Sequence, residues 1–262
     1  MNRTEVDIKS PEYTISIESS ILSVGSCFAD KLGQILSQQA YNIAVNPHGI
    51  LFNPTSIAKA LDSALEDKIR VDHFDEYQGI HFHYDYHSKT NGINTGEVEQ
   101  KIRQANGIMN RGLKSGDYLF LTFGTAWVWS LNRTAEVIAN CHKVPQKEFS
   151  KELLDLETLK KEWKRLVEKL SNLNPKLKII LTVSPVRHSR NGLHQDKLSK
   201  SILLLLCDYL EQNFDSITYF PAYEIMLDEL RDYEFYKDNL IHPNQEAVQY
   251  IFEKFSRHYL TV

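Results

Sequence analysis

A serine and a thiol stand side by side where an apolar run of the chain ends. In ILSVGSCFAD (residues 21–30), Ser26 and Cys27 follow a short apolar stretch and precede a helical pattern. Serine is a preferred helix N-cap, and a helix N-terminus also offers N–H groups and positive dipole to an oxyanion. The position alone favours Ser26 as a helix cap, and the alternative is a nucleophile whose hydroxyl faces the rim of a site. Cys27 is the rival nucleophile, because a helix start lowers a thiol pKa, but the favoured interpretation is a small packing residue.

A serine nucleophile needs a base, and that base needs a group to orient it. The stretch YKDNLIHPNQEAV puts His242 in the loop before a final helical pattern. Asp238 and Asn239 precede it by four and three residues, close enough for a short loop to fold either side chain onto the imidazole. We predict His242 as general base, oriented by Asp238 or Asn239.

Further polar residues follow other apolar runs. Arg187 and His188 come directly after LKIILTVSP, where an arginine fork can hold a carboxylate, sulfate or phosphate of a substrate or instead organise a loop. We predict both as substrate-binding residues. His142, in NCHK, is either structural or a second base, and it is included among the substrate-binding candidates.

The tract IHFHYDYHSK sets His81, His83, Asp85 and His87 at alternating positions. In an extended strand these four side chains face one way, an arrangement that suits a transition metal. Spacing alone seldom makes a metal site, so the favoured interpretation is the polar face of a strand in an insertion. We expect no metal and no cofactor.

The elements that must position these residues alternate between strand and helix. Apolar runs at 20–26, 41–45, 117–124, 177–185 and 216–220 are typical of buried strands. Helical patterns separate them, one of them long and charged from Phe149 to Leu173, and AWVWSLN with AEVIANC predicts a hairpin-like insertion. This alternation predicts a three-layer α/β/α domain over residues 1–262 with a mostly parallel sheet. Ligands of such sheets bind beyond the carboxyl ends of the strands, where Ser26 and Gly49 lie.

Composition and charge exclude several other classes of function. The net charge of the 262 residues is −4, without a basic footprint for nucleic acid or an anionic membrane surface. No apolar run approaches the ~20 residues of a membrane span, and the N-terminal residues lack the apolar core of a secretory signal. The three cysteines are far apart, which favours a reducing compartment and predicts a cytoplasmic protein without nucleic-acid or membrane partners.

Several of these segments together resemble one family. VGSCFAD resembles the signature of the GSCFA domain family, and NPHGILFNP, FGTAWVW, SPVRH and IHPNQEAVQYI are similar to its other segments, in the same order. That family resembles the SGNH/GDSL hydrolases. The resemblance implies a flavodoxin-like, five-stranded sheet and Ser-His-Asp chemistry on esters.

Carried over to this chain, the resemblance makes Ser26 the nucleophile and His242 the general base. It also implies an oxyanion hole formed by the N–H groups of Ser26 and Gly49. The asparagine of the third SGNH block is missing, so Thr125 or a backbone N–H takes its place. HS at 87–88 is similar to a family feature, which puts His87 at the rim.

The resemblance therefore implies a serine esterase, acyl hydrolase or acyltransferase. Its substrate would be a small-molecule ester such as an O-acylated carbohydrate. The missing asparagine, together with an amide at position 239 where the family's acid usually lies, keeps open an alternative. That alternative is a ligand-binding member of the fold with weak or no catalysis.

Overall fold

A computed structural model describes residues 4–261 of the chain. Its strands are β1 Ile21–Gly25, β2 Ile43–Val45, β3 Phe74–Tyr77, β4 Ile80–His83, β5 Tyr118–Phe123, β6 Trp127–Leu131, β7 Glu136–Ile138, β8 Phe149–Leu153, β9 Lys178–Val183 and β10 Ile217–Tyr219. Its helices are α1 Cys27–Gln38, α2 Pro54–Glu66, α3 Thr95–Ser115, α4 Leu156–Leu173, α5 Leu193–Asn213, α6 Ala222–Glu224 and α7 Gln245–Tyr259. None of the helices in this range combines the length and the apolar character that crossing a membrane requires. The single domain predicted for residues 1–262 includes residues 1–3 and 262, which lie outside the described residues, and it stays a prediction.

Five parallel strands form the central sheet in the order β10-β9-β5-β1-β2. Counted from the β2 edge, this is the 2-1-3-4-5 order of flavodoxin-like folds, whose switch point lies between β1 and β5. The predicted α/β class and the five-stranded parallel sheet are therefore confirmed. The carboxyl end of β1, where the Gly-Ser-Cys sequence begins, opens directly onto that switch point.

Alternating side chains of the sheet enter two separate cores. Leu119, Leu121 and Phe123 of β5 pack with apolar residues of α2, α3, α4 and α5 on one face. Tyr118 and Phe120 of the same strand pack with residues of α1 and α7 on the other face. The sheet is thus covered by helices on both sides, as the predicted three layers require.

The segment predicted as one long helix from Phe149 to Leu173 is instead a strand followed by a helix. β8 pairs antiparallel with β6, which also pairs with β7, so the predicted hairpin-like insertion gains a third strand. Asp155 then starts α4, because its side chain accepts the N–H of Thr158 at 2.8 Å. An N-cap of this kind has extended backbone geometry, so the helix cannot continue back through it.

The tract from His81 to His87 is not one extended face. β3 and β4 form an antiparallel hairpin, and β4 ends at His83. The chain then turns, with the N–H of Tyr86 donating to the carbonyl of His83 at 3.2 Å. This turn removes the strict alternation on which a common face for the three histidines depended.

Candidate active site

A cavity of about 480 Å³ opens at the carboxyl ends of β5 and β9 and at the start of α1. Cys27 contributes from α1, and Thr125 from the segment after β5. His188 follows β9, and His242 comes from the loop before α7. The cavity lies where ligands of open α/β sheets bind, and it unites parts of the chain more than 200 residues apart.

Ser26 is buried beneath this cavity. Its side chain accepts the N–H of Phe28 at 3.3 Å, so the predicted helix cap is confirmed. However, Ser26 is 0% exposed and does not line the cavity, and a Cβ on Gly124 would lie 3.2 Å from the Ser26 Cβ. The burial of Ser26 and its capping contact do not support a hydroxyl that faces the rim, and its role as nucleophile stays a prediction.

Cys27 takes the position that was predicted for Ser26. It is the first residue of α1, it is partly exposed, and it lines the cavity. Burial raises the pKa of the thiol, and the nearby carboxylate of Asp30 raises it further. The interpretation of Cys27 as only a packing residue does not fit its access to the cavity.

His242 also lines the cavity, and Asn239 is its orienting group. The Asn239 Oδ1 accepts the N–H groups of Ile241 at 3.0 Å and of His242 at 3.1 Å. These two bonds identify the oxygen of the amide, so its Nδ2 is the atom 3.0 Å from the His242 Nδ1. Asp238, the other predicted partner, has no hydrogen bond or ion pair within residues 4–261.

This geometry determines the tautomer of His242. Because the amide nitrogen donates, Nδ1 must accept, and the neutral ring carries its proton on Nε2. Burial lowers the pKa of His242, and Lys237 lowers it further, so the ring is neutral at pH 7. A histidine in this state can donate from Nε2 but cannot accept a proton there, which is the reverse of what the predicted general base requires.

The three predicted oxyanion donors are all engaged elsewhere. The Ser26 N–H donates to the carbonyl of Thr122 at 3.0 Å, and the Gly49 N–H donates to that of Asn46 at 2.8 Å. Gly49 does not line the cavity. The Thr125 hydroxyl does reach the cavity region, but it lies 3.1 Å from Ser199 Oγ and accepts the Trp127 N–H at 3.1 Å.

Other backbone N–H groups at the cavity are free to donate. Among the described residues, the backbone N–H groups of Cys27 and Asn53 have no hydrogen-bond partner, and both residues line the cavity. Asn53 caps α2 by accepting the Ser56 N–H at 2.8 Å. The sequence signal for this second helix start was the Asn-Pro pair at 53–54, since asparagine is a common N-cap and proline a common first residue.

The sequence of this chain matches the profile of a known protein family. The profile of the GSCFA family matches residues 20–255, which is most of the chain. The chain belongs to the GSCFA family. No curated protein gives a significant match to it.

Two solved structures are similar to this GSCFA chain. One is a Streptococcus pneumonia protein provisionally described as a platelet activating factor, at 12% identity and a TM-score of 0.48, covering 93% of this chain and 85% of the other. The second is a carbohydrate esterase family 3 protein from Talaromyces cellulolyticus, at 9% identity and a TM-score of 0.33. That match covers 56% of this chain and 58% of the other.

Arg187 and His188 line the cavity of this GSCFA chain at the predicted place. The Arg187 guanidinium lies 4.0 Å from the centre of the Tyr236 ring, and its Nη1 is 3.4 Å from the carbonyl of Leu240. His188 Nε2 is buried and has no partner within residues 4–261. Burial lowers the pKa of His188 to about 3, with the positive charge of Lys200 adding to the effect, so this ring is neutral.

His87 and His142 lie outside the cavity. His87 packs against Gly49, where a Cβ would come 2.6 Å from the His87 Cβ, and its Nδ1 accepts the Lys89 N–H at 3.2 Å. His142 stacks on Phe82 at 4.3 Å, and its Nε2 donates to a backbone carbonyl at 3.1 Å. The structure does not bring either residue to the cavity, because His87 caps the turn at residues 88–90 and His142 is held by its ring stack and its hydrogen bond.

His83 and Asp85 of the histidine tract meet His73, which the sequence did not single out. His73 Nδ1 lies 2.9 Å from Asp85, and its Nε2 lies 2.8 Å from Glu136. Both ring nitrogens of His73 therefore donate to carboxylates, which leaves no lone pair for a metal. His83 Nε2 likewise donates to a backbone carbonyl at 2.8 Å, so this cluster is built as an ion-pair network.

Lys200 is a buried cation beneath the site that the sequence reading did not identify. Its Nζ donates to the carbonyls of Gly124 and Ser184, both at 2.7 Å, at the ends of β5 and β9. Burial lowers its pKa to about 8, and Asp196 opposes the shift. The only sequence signal was a lysine inside the apolar helix KLSKSILLLL. At pH 7 its positive charge favours negative charge in the cavity.

Proposed function

We propose that this chain transfers acyl groups from esters, to water or to another alcohol, with Cys27 as the nucleophile. The single observation that carries this proposal is the position of the thiol. Cys27, the first residue of α1, lines the cavity together with His188 and His242, whereas the Ser26 side chain is fully buried. The proposal keeps the predicted reaction and His242 as a participant, and it moves the attacking atom by one residue.

In the proposed reaction, the Cys27 sulfur forms a bond to the acyl carbon and its proton passes to His188 Nε2. The N–H groups of Cys27 and Asn53 donate to the oxyanion, and each well-aimed donor is worth roughly 3 kcal/mol. Collapse breaks the ester bond, and the leaving oxygen takes the proton back from His188 while His242 Nε2–H donates a hydrogen bond to it. Water or an alcohol then releases the acyl group from the thioester by the same relay.

The electrostatics of the site limit the expected rate. The neutral thiol dominates at pH 7 because burial raises the pKa of Cys27. A base with a pKa of about 3, such as His188, removes a thiol proton poorly. We therefore expect slow turnover at neutral pH that increases with pH as the thiolate forms.

The experiment is acylation by 4-nitrophenyl acetate followed by intact mass and peptide mapping. We expect one acetyl group on Cys27, removable by neutral hydroxylamine as a thioester. Cys27→Ala should abolish this adduct. Ser26→Ala should still form the adduct, and the loss of the cap should lower the stability of the fold by about 1 kcal/mol. Cys141→Ala is the matched control, because that thiol is partly exposed outside the cavity.

Acylation that persists in Cys27→Ala and disappears in a folded Ser26→Ala variant would restore the serine mechanism. A specific observation favours a second candidate function, a ligand-binding protein without turnover. Asn239 holds His242 in the tautomer that cannot accept a proton at Nε2. If wild-type protein neither acylates nor hydrolyses esters at any pH between 6 and 9 but binds a ligand in this cavity, the binding function replaces the enzymatic one.

A further inference from the structure

Part of the lining of this cavity is strongly basic. Lys151 of β8, Arg187 after β9 and Arg190 in the following turn all line it. Within residues 4–261, no aspartate or glutamate lines the same cavity. This is unusual for a chain whose acidic residues outnumber its basic ones, 34 to 30.

These three cations have no ion-pair partner among the described residues, although several cations elsewhere on the surface do. Arg70, for example, lies 2.8 Å from Glu136. The Lys151 Nζ instead donates to the Asn191 side chain at 2.6 Å, and the Arg187 guanidinium packs on a tyrosine ring. Burial lowers the pKa of Lys151, and the positive charge of Arg190 lowers it further. Like charges held close without a counter-charge favour binding of an anion.

Aromatic side chains lie beside these cations. The Lys151 Nζ is 5.1 Å from the centre of the Trp129 ring and 5.7 Å from that of Trp127, and both tryptophans line the cavity. A ring of the substrate could therefore lie against an indole while an anionic group meets the lysine. Buried Lys200 adds positive charge from beneath, at the strand ends.

We infer that the cavity takes an ester whose acyl or alcohol part carries an anionic group, a phosphate, a sulfate or a carboxylate, held by Lys151, Arg187 and Arg190. This inference deepens the proposed function and rests on it for the reaction. Binding of the anion itself does not depend on Cys27. The sequence predicted that Arg187 binds substrate. Lys151 and Arg190 were not predicted, and they line the cavity because the β6–β8 insertion and the turn after β9 are in contact there.

The test is a binding titration of the full chain carrying Cys27→Ala, with tryptophan fluorescence as the readout. The probes are glucose 6-phosphate, glucuronate and inorganic sulfate, with glucose as the neutral match. We expect a saturable change with at least one anion and none with glucose, and the three anions distinguish phosphate, carboxylate and sulfate. Lys151→Ala and Arg190→Ala should each weaken binding at least tenfold. Lys147→Ala, an exposed lysine of the same insertion that does not line the cavity, should bind like the parent.

The inference is overturned if no anion gives a saturable change, or if affinity is unchanged in both Lys151→Ala and Arg190→Ala. Its failure is distinguishable from failure of the proposed function. Acylation of Cys27 without anion binding would leave the reaction and remove the anionic substrate. Anion binding in a wild-type protein that never acylates would retain the basic site and remove the reaction.

Discussion

At the scale of single residues, Asn239 decides what His242 can do. A carboxylate at this position would accept a proton-bearing Nδ1 and leave Nε2 as a base. The amide donates to Nδ1 at 3.0 Å and thereby places the ring proton on Nε2. The nitrogen of the amide cannot turn away, because its oxygen is held by two backbone N–H groups.

We predict that Asn239→Asp increases activity. One carboxylate oxygen can keep the two N–H bonds while the other accepts from Nδ1. This removes the proton from Nε2 and raises the pKa of His242, so that His242 replaces the weaker base His188 instead of donating from Nε2. The opposite change in a serine protease triad costs about 10⁴ in turnover, so we expect a gain in kcat/KM of about 100-fold or more on an aryl ester. Histidine ¹⁵N NMR should show the proton on Nδ1. Asp238→Asn is the control with expected wild-type kinetics, and an Asn239→Asp variant with the new tautomer but no faster reaction would show that His242 does not replace His188 as the base for Cys27.

At the scale of elements, the junction of β1 and α1 depends on Gly25. Its φ is +150°, and a Cβ there would lie 2.3 Å from the carbonyl oxygen of Thr122 on β5. The close approach of β1 to β5 is also what brings Cys27 to the switch point. A side chain at Gly25 must therefore separate the two strands or move the helix start.

We predict that Gly25→Ala destabilises the fold by about 3 kcal/mol or more, because left-handed strain and overpacking add together. The measurement is urea unfolding. Gly79→Ala separates the two causes, since Gly79 also has a positive φ of +78° but nothing within 4 Å of its Cβ position. It should cost only about 1 kcal/mol. Equal losses for the two variants would show that the contact with Thr122 is not the main cause.

A second element-scale feature is the ion pair network of His73, which joins the β3–β4 hairpin to β7. Burial alone would lower the pKa of His73, but its hydrogen bonds to Asp85 and Glu136 raise it overall. The pKa of Asp85 is lowered despite burial, and Arg70 and His73 lower that of Glu136. The two carboxylates therefore stabilise the fold fully at pH values above their unfolded pKa values. His73 stabilises it fully at pH values below the unfolded pKa of histidine.

We predict a stability maximum for this network between about pH 4.5 and pH 6.5, the unfolded pKa values of glutamate and histidine. The contribution of His73 is lost as pH rises through its raised folded pKa. The contributions of the two carboxylates are lost as pH falls through theirs. Urea unfolding at pH 6 and pH 9 should show a greater loss in wild type than in His73→Gln. Parallel pH profiles of the two proteins would contradict a charged His73. Removing one partner of a buried pair should itself cost about 3 kcal/mol.

At the scale of the whole molecule, charge is distributed unevenly. The chain carries a net −4, yet the described part of the cavity presents Lys151, Arg187 and Arg190 without a carboxylate. Basic clefts attract anionic substrates over a distance that salt shortens, from about 30 Å at 0.01 M to about 10 Å at 0.1 M. An anionic substrate should therefore be steered to the cavity despite the net negative charge.

We predict that salt selectively slows an anionic ester. Between about 0.01 M and 0.3 M NaCl, kcat/KM for 4-nitrophenyl hemisuccinate should fall about threefold or more, because screening removes the steering. The neutral 4-nitrophenyl butyrate should change little in the same series. Equal salt dependence of both esters would indicate an effect of salt on the protein rather than on electrostatic attraction.

The sequence alone predicted the layered α/β fold, because apolar strands and amphipathic helices record burial in their spacing. It also predicted that Arg187 and His188 would lie near the start of α1, because parallel strands end at one edge of a sheet. Both predictions rest on local sequence patterns and on the order of strands and helices, which can be inferred from the sequence. The place of His242 beside Arg187 and His188 followed from the resemblance to the GSCFA family. The boundary between β8 and α4 was missed, since a charged strand of the insertion lacks the apolar alternation that identifies it.

Only the tertiary structure decided between neighbouring atoms. Ser26 and Cys27 are adjacent in the chain. The capping turn buries the Ser26 side chain, whereas Cys27, the first residue of α1, lines the cavity. The same is true of the Asn239 amide, whose orientation depends on two N–H groups of its own loop. Sequence determines which groups share an edge of the sheet. Which lone pair or proton faces the cavity depends on hydrogen bonds whose geometry exists only after the chain has folded.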